Sequence, residues 1–310
     1  MNRIALLLLC LVIACSAPFI GPTPPDHAME FIYMQLRIPR VLVAGVVGCT
    51  FGIVGAAFQA LFGNPLATPS TTGTTAGAAL GALFAFVAFP SSLAQWTLGV
   101  AGFSFLGALI VAFPVAVLAS RYQRRMEDVL LAGIALTLAA GALTTGLQSQ
   151  ADMAATQRAV LWSLGSLTQV GYDGILGLAP LCVLCCIGVL TQTRALDALI
   201  TGEERAQSQG VYTTQTRTIV LGVGSLGIAS CVAWCGPIAF VGLIVPHIVR
   251  FILGSSRRIL LPYSGIVGAA FLITCDVAAR FLSTGSEVPV GVMTAAVGAP
   301  LLIVLVLKQQ

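Results

Sequence analysis

The sequence predicts an all-α polytopic membrane protein with about ten transmembrane helices and both termini cytoplasmic. Composition is the first observation: of 310 residues, 57% are hydrophobic and 8% charged. Soluble domains carry about 25% charged residues, and the mean hydropathy here is +0.98. The second is that apolar runs recur along the whole chain, separated by short polar or Pro/Gly-rich segments. The third is a lopsided distribution of positive charge between the two ends of those runs. Nothing marks a domain boundary, so residues 1–310 read as one transmembrane domain.

The first run is Ile4 to Ile20, with Arg3 in front. Val12-Ile13-Ala14-Cys15 resembles a lipoprotein cleavage box, but more membrane follows where a soluble domain would be expected. The run is therefore read as an uncleaved first span. Gly21 to Tyr33 reads as a loop with three prolines, Asp26, His27 and Glu30. The second run, Val41 to Phe62, is preceded by Arg37-Ile38-Pro39-Arg40. It ends at Gly63-Asn64-Pro65-Leu66-Ala67-Thr68-Pro69, where two prolines must break a helix.

Eight further runs follow: Gly73–Phe89, Leu98–Leu118, Val129–Leu147, Ile175–Thr191, Ile219–Trp234, Ile238–Leu253, Leu260–Leu282 and Val288–Leu307. Several are shorter than the ~20 residues of a straight span, and glycine and proline are frequent in them. Tilted or broken helices packed through small residues are expected.

One polar interruption, Gln192 to Arg217, stands between the sixth and seventh runs. It includes Thr201-Gly202-Glu203-Glu204-Arg205-Ala206-Gln207-Ser208-Gln209-Gly210. Its middle consists of good helix formers bracketed by glycines, which predicts short helical turns. Spacing alone favours an ordinary solvated loop, with a handle moved by another protein as the alternative.

With ten spans the termini share a side. Arg3, Arg121, Arg124, Arg125, Arg194, Arg205, Arg217, Arg250, Arg257, Arg258 and Lys308 fall on that side, and Arg37, Arg40, Arg158 and Arg280 on the other. The positive-inside rule makes the richer side cytoplasmic. The Ser120–Arg125 cluster is then a topology anchor. Arg280 lies four residues after Asp276, a helical ion-pair spacing. Arg37 and Arg40, one turn apart, could snorkel to headgroups or bind a partner, and charge alone leaves both readings standing.

Lys308 is the only lysine. A P-loop needs a lysine after a glycine-rich turn, so ATP must be handled by another polypeptide. The nine cysteines lie mostly inside apolar runs. Cys182-x-x-Cys185, with Cys186 beside it, has no histidine or second pair nearby and reads as packing. His247, between Pro246 and Arg250 without an acidic neighbour, reads as structural.

Four segments, in order, carry a resemblance. They are Arg37-Ile38-Pro39-Arg40 with Gln59 to Ala67, Gly202-Glu203-Glu204 to Gly210-Val211, Gly236-Pro237 to Arg250, and Asp276-Val-Ala-Ala-Arg280 with Glu287-Val-Pro289-Val-Gly291. Together they resemble the permease family of the iron-siderophore, haem and cobalamin ABC importers, of the type II class, over nearly the whole chain. One departure stands out. The family's Ser-Ser-Gly pattern after the Asn-Pro motif is replaced by threonine-rich Ser70 to Gly77.

The resemblance implies a two-fold homodimer in a bacterial inner membrane, with substrate passing along the dimer axis. It implies two copies of an ABC ATPase subunit, which bind the ATP and magnesium, and a periplasmic substrate-binding protein. Gly202, Glu203, Glu204, Arg205, Ala206, Gln207, Ser208, Gln209 and Gly210 would couple to the ATPase within a cytoplasmic segment at 192–217. Asn64, Pro65, Leu66 and Ala67 would contribute to the cytoplasmic gate, and Arg37, Arg40 and Arg280 would receive acidic residues of the binding protein. The expected cargo is a metal chelate, ferric siderophore first, then haem or cobalamin. The chain would be no enzyme and hold no cofactor or metal, and beyond these proteins its partner is membrane lipid, not nucleic acid. An ion-coupled secondary transporter is the alternative, with Asp276 the acidic residue placed to serve it. A structural membrane anchor would have no need of the glutamate-rich handle.

Overall fold

The structure, a computed structural model, describes residues 3–21, 29–89, 97–121, 126–200, 202–282 and 287–307. Asp26, His27, Arg124, Arg125, Thr201 and Lys308 lie outside the described residues. Helices are α1 (Arg3–Ser16), α2 (Ile38–Leu61), α3 (Thr74–Ala88), α4 (Thr97–Ala119), α5 (Met126–Gln148), α6 (Met153–Ser163), α7 (Gly171–Thr191), α8 (Thr193–Leu199), α9 (Glu203–Ser208), α10 (Thr213–Cys235), α11 (Val241–Leu253), α12 (Arg257–Leu282) and α13 (Val290–Leu307). No strand occurs among the described residues. The chain is an all-α, multi-pass membrane protein.

Each of the ten apolar runs forms a helix. Among the described residues six helices are long and apolar enough to cross a membrane, and four apolar helices are shorter. α6 was not anticipated. It is short and of mixed polarity, and the Asp152 carboxylate caps it by accepting from the Ala155 N–H at 2.7 Å.

The loop expected from Gly21 to Tyr33 is corrected at its end, because helical backbone begins at Met29 and runs into α2 through a π-helical stretch, Ile32–Arg37. Pro39 explains the widened turn. It offers no N–H to the preceding turn, and Ile38 donates five residues back, to Tyr33 O. Arg37 and Arg40 therefore sit on one continuous helical stretch, Met29–Leu61.

α2 is the hub. It packs on α7, α10, α11 and α12, and 78% of its span is buried in the subunit against 17% for α5. Close approach makes this possible: a Cβ on Gly48 would overlap the Gly268 carbonyl, and one on Gly52 the Ser264 carbonyl. Small residues let backbones touch where lipid supplies no hydrophobic drive. α3 and α4 meet the same way, at Gly77 and Gly107.

Between α2 and α3 the chain leaves helical geometry. Asn64 makes the turn: its carboxamide oxygen accepts from Leu66 N–H at 2.9 Å and its carbonyl from Ala67 N–H at 3.1 Å. The 3₁₀ turn Pro69–Thr72 follows. Pro69 packs against Gly242, and a cavity of about 190 Å³ joins Thr68, Pro69 and Ser70 to Phe51 and Phe240. Phe51 is near the middle of α2, so this irregular chain doubles back to half the helix's height. Such backbone is tolerated at membrane depth only when protein or a water-filled cavity surrounds it. Here threonines help satisfy it. Thr71 and Thr72 hydroxyls donate to Thr68 O (2.6 Å) and Pro69 O (2.9 Å), and Thr72 meets Thr74 at 2.8 Å. That gives the threonine-rich departure a physical role.

Candidate functional site

Functional candidates gather at the two ends of α2. Arg40 and Gln59 are nineteen residues apart on this helix, about 28 Å at 1.5 Å per residue, close to the thickness of a hydrocarbon core.

At the Gln59 end a cleft of about 830 Å³ opens between the break after α2 and the polar segment. Phe62, Gly63 and Pro65 line one side, Leu199, Gly202 and Glu203 another, and Glu127, Arg217, Arg250 and Arg257 supply the charge. Gln59 stitches the wall, donating Nε2–H to Leu243 O at 3.2 Å and accepting from Arg250 Nη2 at 3.1 Å. The proposed gate turn and coupling segment thus face one space, although more than 130 residues separate Pro65 from Gly202.

The polar segment folds as two short helices, α8 and α9. Gly202 (φ +107°) and Gly210 (φ +81°) hold backbone conformations that side chains rarely adopt. Gly210 ends α9 in a Schellman turn, with Val211 N–H to Ala206 O (3.0 Å) and Gly210 N–H to Gln207 O (2.9 Å). Ala206 is fully buried, while its helix neighbours Glu204, Arg205, Gln207 and Ser208 are exposed. Three bonds tie this unit to long helices. Arg217 Nη2 donates to Glu203 Oε2 at 2.6 Å, Gln207 Nε2 to Thr213 Oγ1 at 3.3 Å, and the Arg257 backbone N–H to Asp197 Oδ1 at 3.2 Å. Two of these bonds run from α9 to the start of α10, and the third from α8 to the start of α12. The sequence did not disclose these pairings.

At the other end lie Arg37, Arg40 and Arg280, each 8% exposed. They face inward. Arg40 donates Nε–H to Asp276 Oδ1 (2.6 Å) and Nη1–H to Glu287 Oε2 (2.8 Å). Arg280 Nη2 lies 3.0 Å from Asp276 Oδ2, and its Nη1 reaches Ala17 O at 3.3 Å. Arg37 lies over the Tyr33 ring, 5.0 Å from its centroid, and donates to Pro18 O at 3.4 Å. The spacing of Asp276 and Arg280 was legible, whereas Arg40 as the second cation on Asp276, and Glu287 as its other acid, were not. Two guanidiniums therefore share the Asp276 carboxylate, the acid that an ion-coupled carrier would have to use.

The remaining candidates are quieter. His247 Nδ1 meets Leu243 O at 2.8 Å. All nine cysteines are free; Cys182 and Cys231 sulfurs approach to 3.4 Å between α7 and α10. Among the described residues no group of three His, Cys, Asp or Glu is placed to hold a metal ion.

Comparison with known proteins agrees with this architecture. The chain matches the FecCD transport family over residues 4–308. It is 36% identical to the cobalamin import system permease protein BtuC of Halobacterium salinarum over 291 residues, 94% of this chain and 76% of that protein. It is equally similar, at 36%, to the hemin transport system permease protein HmuU of Yersinia pestis, covering 93% and 86%. The iron-uptake system permease protein FeuC of Bacillus subtilis is 32% identical, covering 92% and 87%. A solved inward-facing conformation of a metal-chelate type ABC transporter superposes with a TM-score of 0.88 at 29% identity, covering 98% of both chains.

Proposed function

The chain belongs to the FecCD transport family, and from that premise we infer that it is the permease subunit of an ATP-binding-cassette importer for metal chelates. The observation that carries the reading is the single cleft shared by the Asn64–Ala67 turn and the Gly202–Gly210 unit. A force applied to α9 would have a short route to the irregular segment that follows α2 into the bundle. Two copies would form the pathway on a two-fold axis, each crossing a bacterial inner membrane ten times with both termini cytoplasmic. Two ATPase subunits would dock on α9 and its neighbours from the cytoplasm, binding the ATP and magnesium. A periplasmic binding protein would deliver cargo at the Arg37, Arg40 and Arg280 end.

Within the chelates, a ferric siderophore is the first candidate and haem and cobalamin follow. Equal identity to a cobalamin and a hemin permease does not rank these cargoes. Uptake does. Proteoliposomes carrying the permease–ATPase complex, supplied with the binding protein, are to be scanned with the three chelates. The expected result is ATP-dependent accumulation of one of them that requires both partners. Accumulation driven by an ion gradient without the ATPase would overturn the reading.

A further inference from the structure

We propose that Glu287 is an exchangeable counter-ion, holding Arg40 inside the subunit until a carboxylate of the docking protein displaces it, while Asp276 stays in place. This rests on the docking reading of Arg37, Arg40 and Arg280.

The two carboxylates on Arg40 differ in every respect that governs exchange. The Asp276 side chain is 1% exposed, lies inside α12 and is shared by Arg40 and Arg280. Removing it would strand two buried guanidiniums, which is costly. The Glu287 side chain is 57% exposed and precedes α13 on non-helical chain. It can return to water at little cost, since an exposed partner contributes little net energy to an ion pair. A carboxylate arriving from outside would leave the charge on Arg40 balanced and take over Nη1, the atom Glu287 now holds at 2.8 Å.

Arg280 braces this site from inside the subunit. Its Nε and Nη2 make no well-formed hydrogen bond, although Nη2 lies within ion-pair distance of Asp276. Its Nη1 bonds to Ala17 O and Ile20 O are long, 3.3 and 3.5 Å. Nε and Nη2 are both buried and Nη2 is committed to Asp276, so Arg280 holds Asp276 in place while Arg40 Nη1 is the group that changes partner. The partner this fits is a protein presenting an Asp or Glu side chain to Arg40. Competition by Glu287 would keep Arg40 from gripping weaker anions and keep docking reversible in every cycle.

The test uses the permease–ATPase complex in nanodiscs and the purified binding protein, with affinity and dissociation rate measured at low and moderate salt. Glu287→Gln removes the competitor, and docking should tighten about threefold or more with a steeper salt dependence. Glu287→Asp, one methylene shorter, should shift it the same way and serves if the glutamine variant fails to accumulate. Arg40→Gln should weaken docking. If Arg40→Gln weakens docking while both Glu287 variants leave it unchanged, exchange is wrong and docking stands. If the Glu287 variants weaken docking, Glu287 is a contact or a support and the proposal is overturned. If no arginine or Glu287 variant changes it, the docking reading falls as well.

Discussion

Arg40 donates its Nε–H to Asp276 Oδ1 at 2.6 Å across 236 positions of sequence, and the pair is the polar seal on the α2–α12 seam. Both partners are nearly withdrawn from solvent. Breaking such a pair from one side leaves an uncompensated charge, at about 3–5 kcal/mol. Asp276→Asn should therefore lower the thermal stability of the detergent-purified protein sharply. Arg40→Gln combined with Asp276→Asn should recover part of the loss, because the stranded charges are fewer. Thermal unfolding of the single and double variants reads this directly, and a double variant no more stable than Asp276→Asn alone would contradict it.

The glycine seam makes a second prediction. Gly48→Ala and Gly52→Ala place a methyl on backbone carbonyls of α12 that cannot yield like a side-chain tip. Overpacking of this kind costs about 1–3 kcal/mol. Gly102→Ala in α4, where a Cβ meets no atom of the subunit, should be neutral or slightly stabilising through the better helix propensity of alanine. The comparison of melting temperatures across these variants checks it. Equal effects at all three positions would deny the close approach any energetic weight.

Coupling makes the third. Ala206 is fully buried and its N–H donates to Gly202 O at 3.0 Å. Ala206→Pro removes that donor and costs up to about 3 kcal/mol in the helix. The variant should reach normal membrane levels yet lose ATPase association or ATP-driven uptake. Unchanged uptake would return the segment to the status of an ordinary loop.

Energy supply makes the fourth. The sequence holds one lysine, Lys308, and no glycine-rich loop ahead of it. The purified chain by itself should show no ATP hydrolysis, and turnover should appear only when the ATPase subunit is added. Turnover by the chain alone, in a preparation free of contaminating ATPase, would end the permease reading.

Much of this molecule is legible from local sequence. Ten apolar runs announce ten helices because length and hydropathy suffice to mark a helix that lives in lipid. The helical turns at Glu203–Gln207 follow from good formers between two glycines, and the break at Asn64-Pro65 from the missing N–H of proline. Even Asp276 and Arg280 betray their pairing, since four residues make one helical turn. α6 escaped notice because eleven mixed residues carry too weak a period to stand out.

Contacts between distant segments are another matter. Nothing near Arg40 in sequence names Asp276 or Glu287 as its acids, and Gln59 does not name Arg250. Those partnerships exist because Gly48, Gly52 and Gly268 let α2 and α12 touch, and Gly55 and Gly242 let α2 and α11 touch, which fixes where the charged side chains along both seams arrive. In a bundle with little water to solvate them, each charge then takes the nearest opposite group that the packing offers. Runs, breaks and the excess of positive charge are properties of the chain in one dimension; the shared cleft and the buried arginine network come from the packing of helices in three.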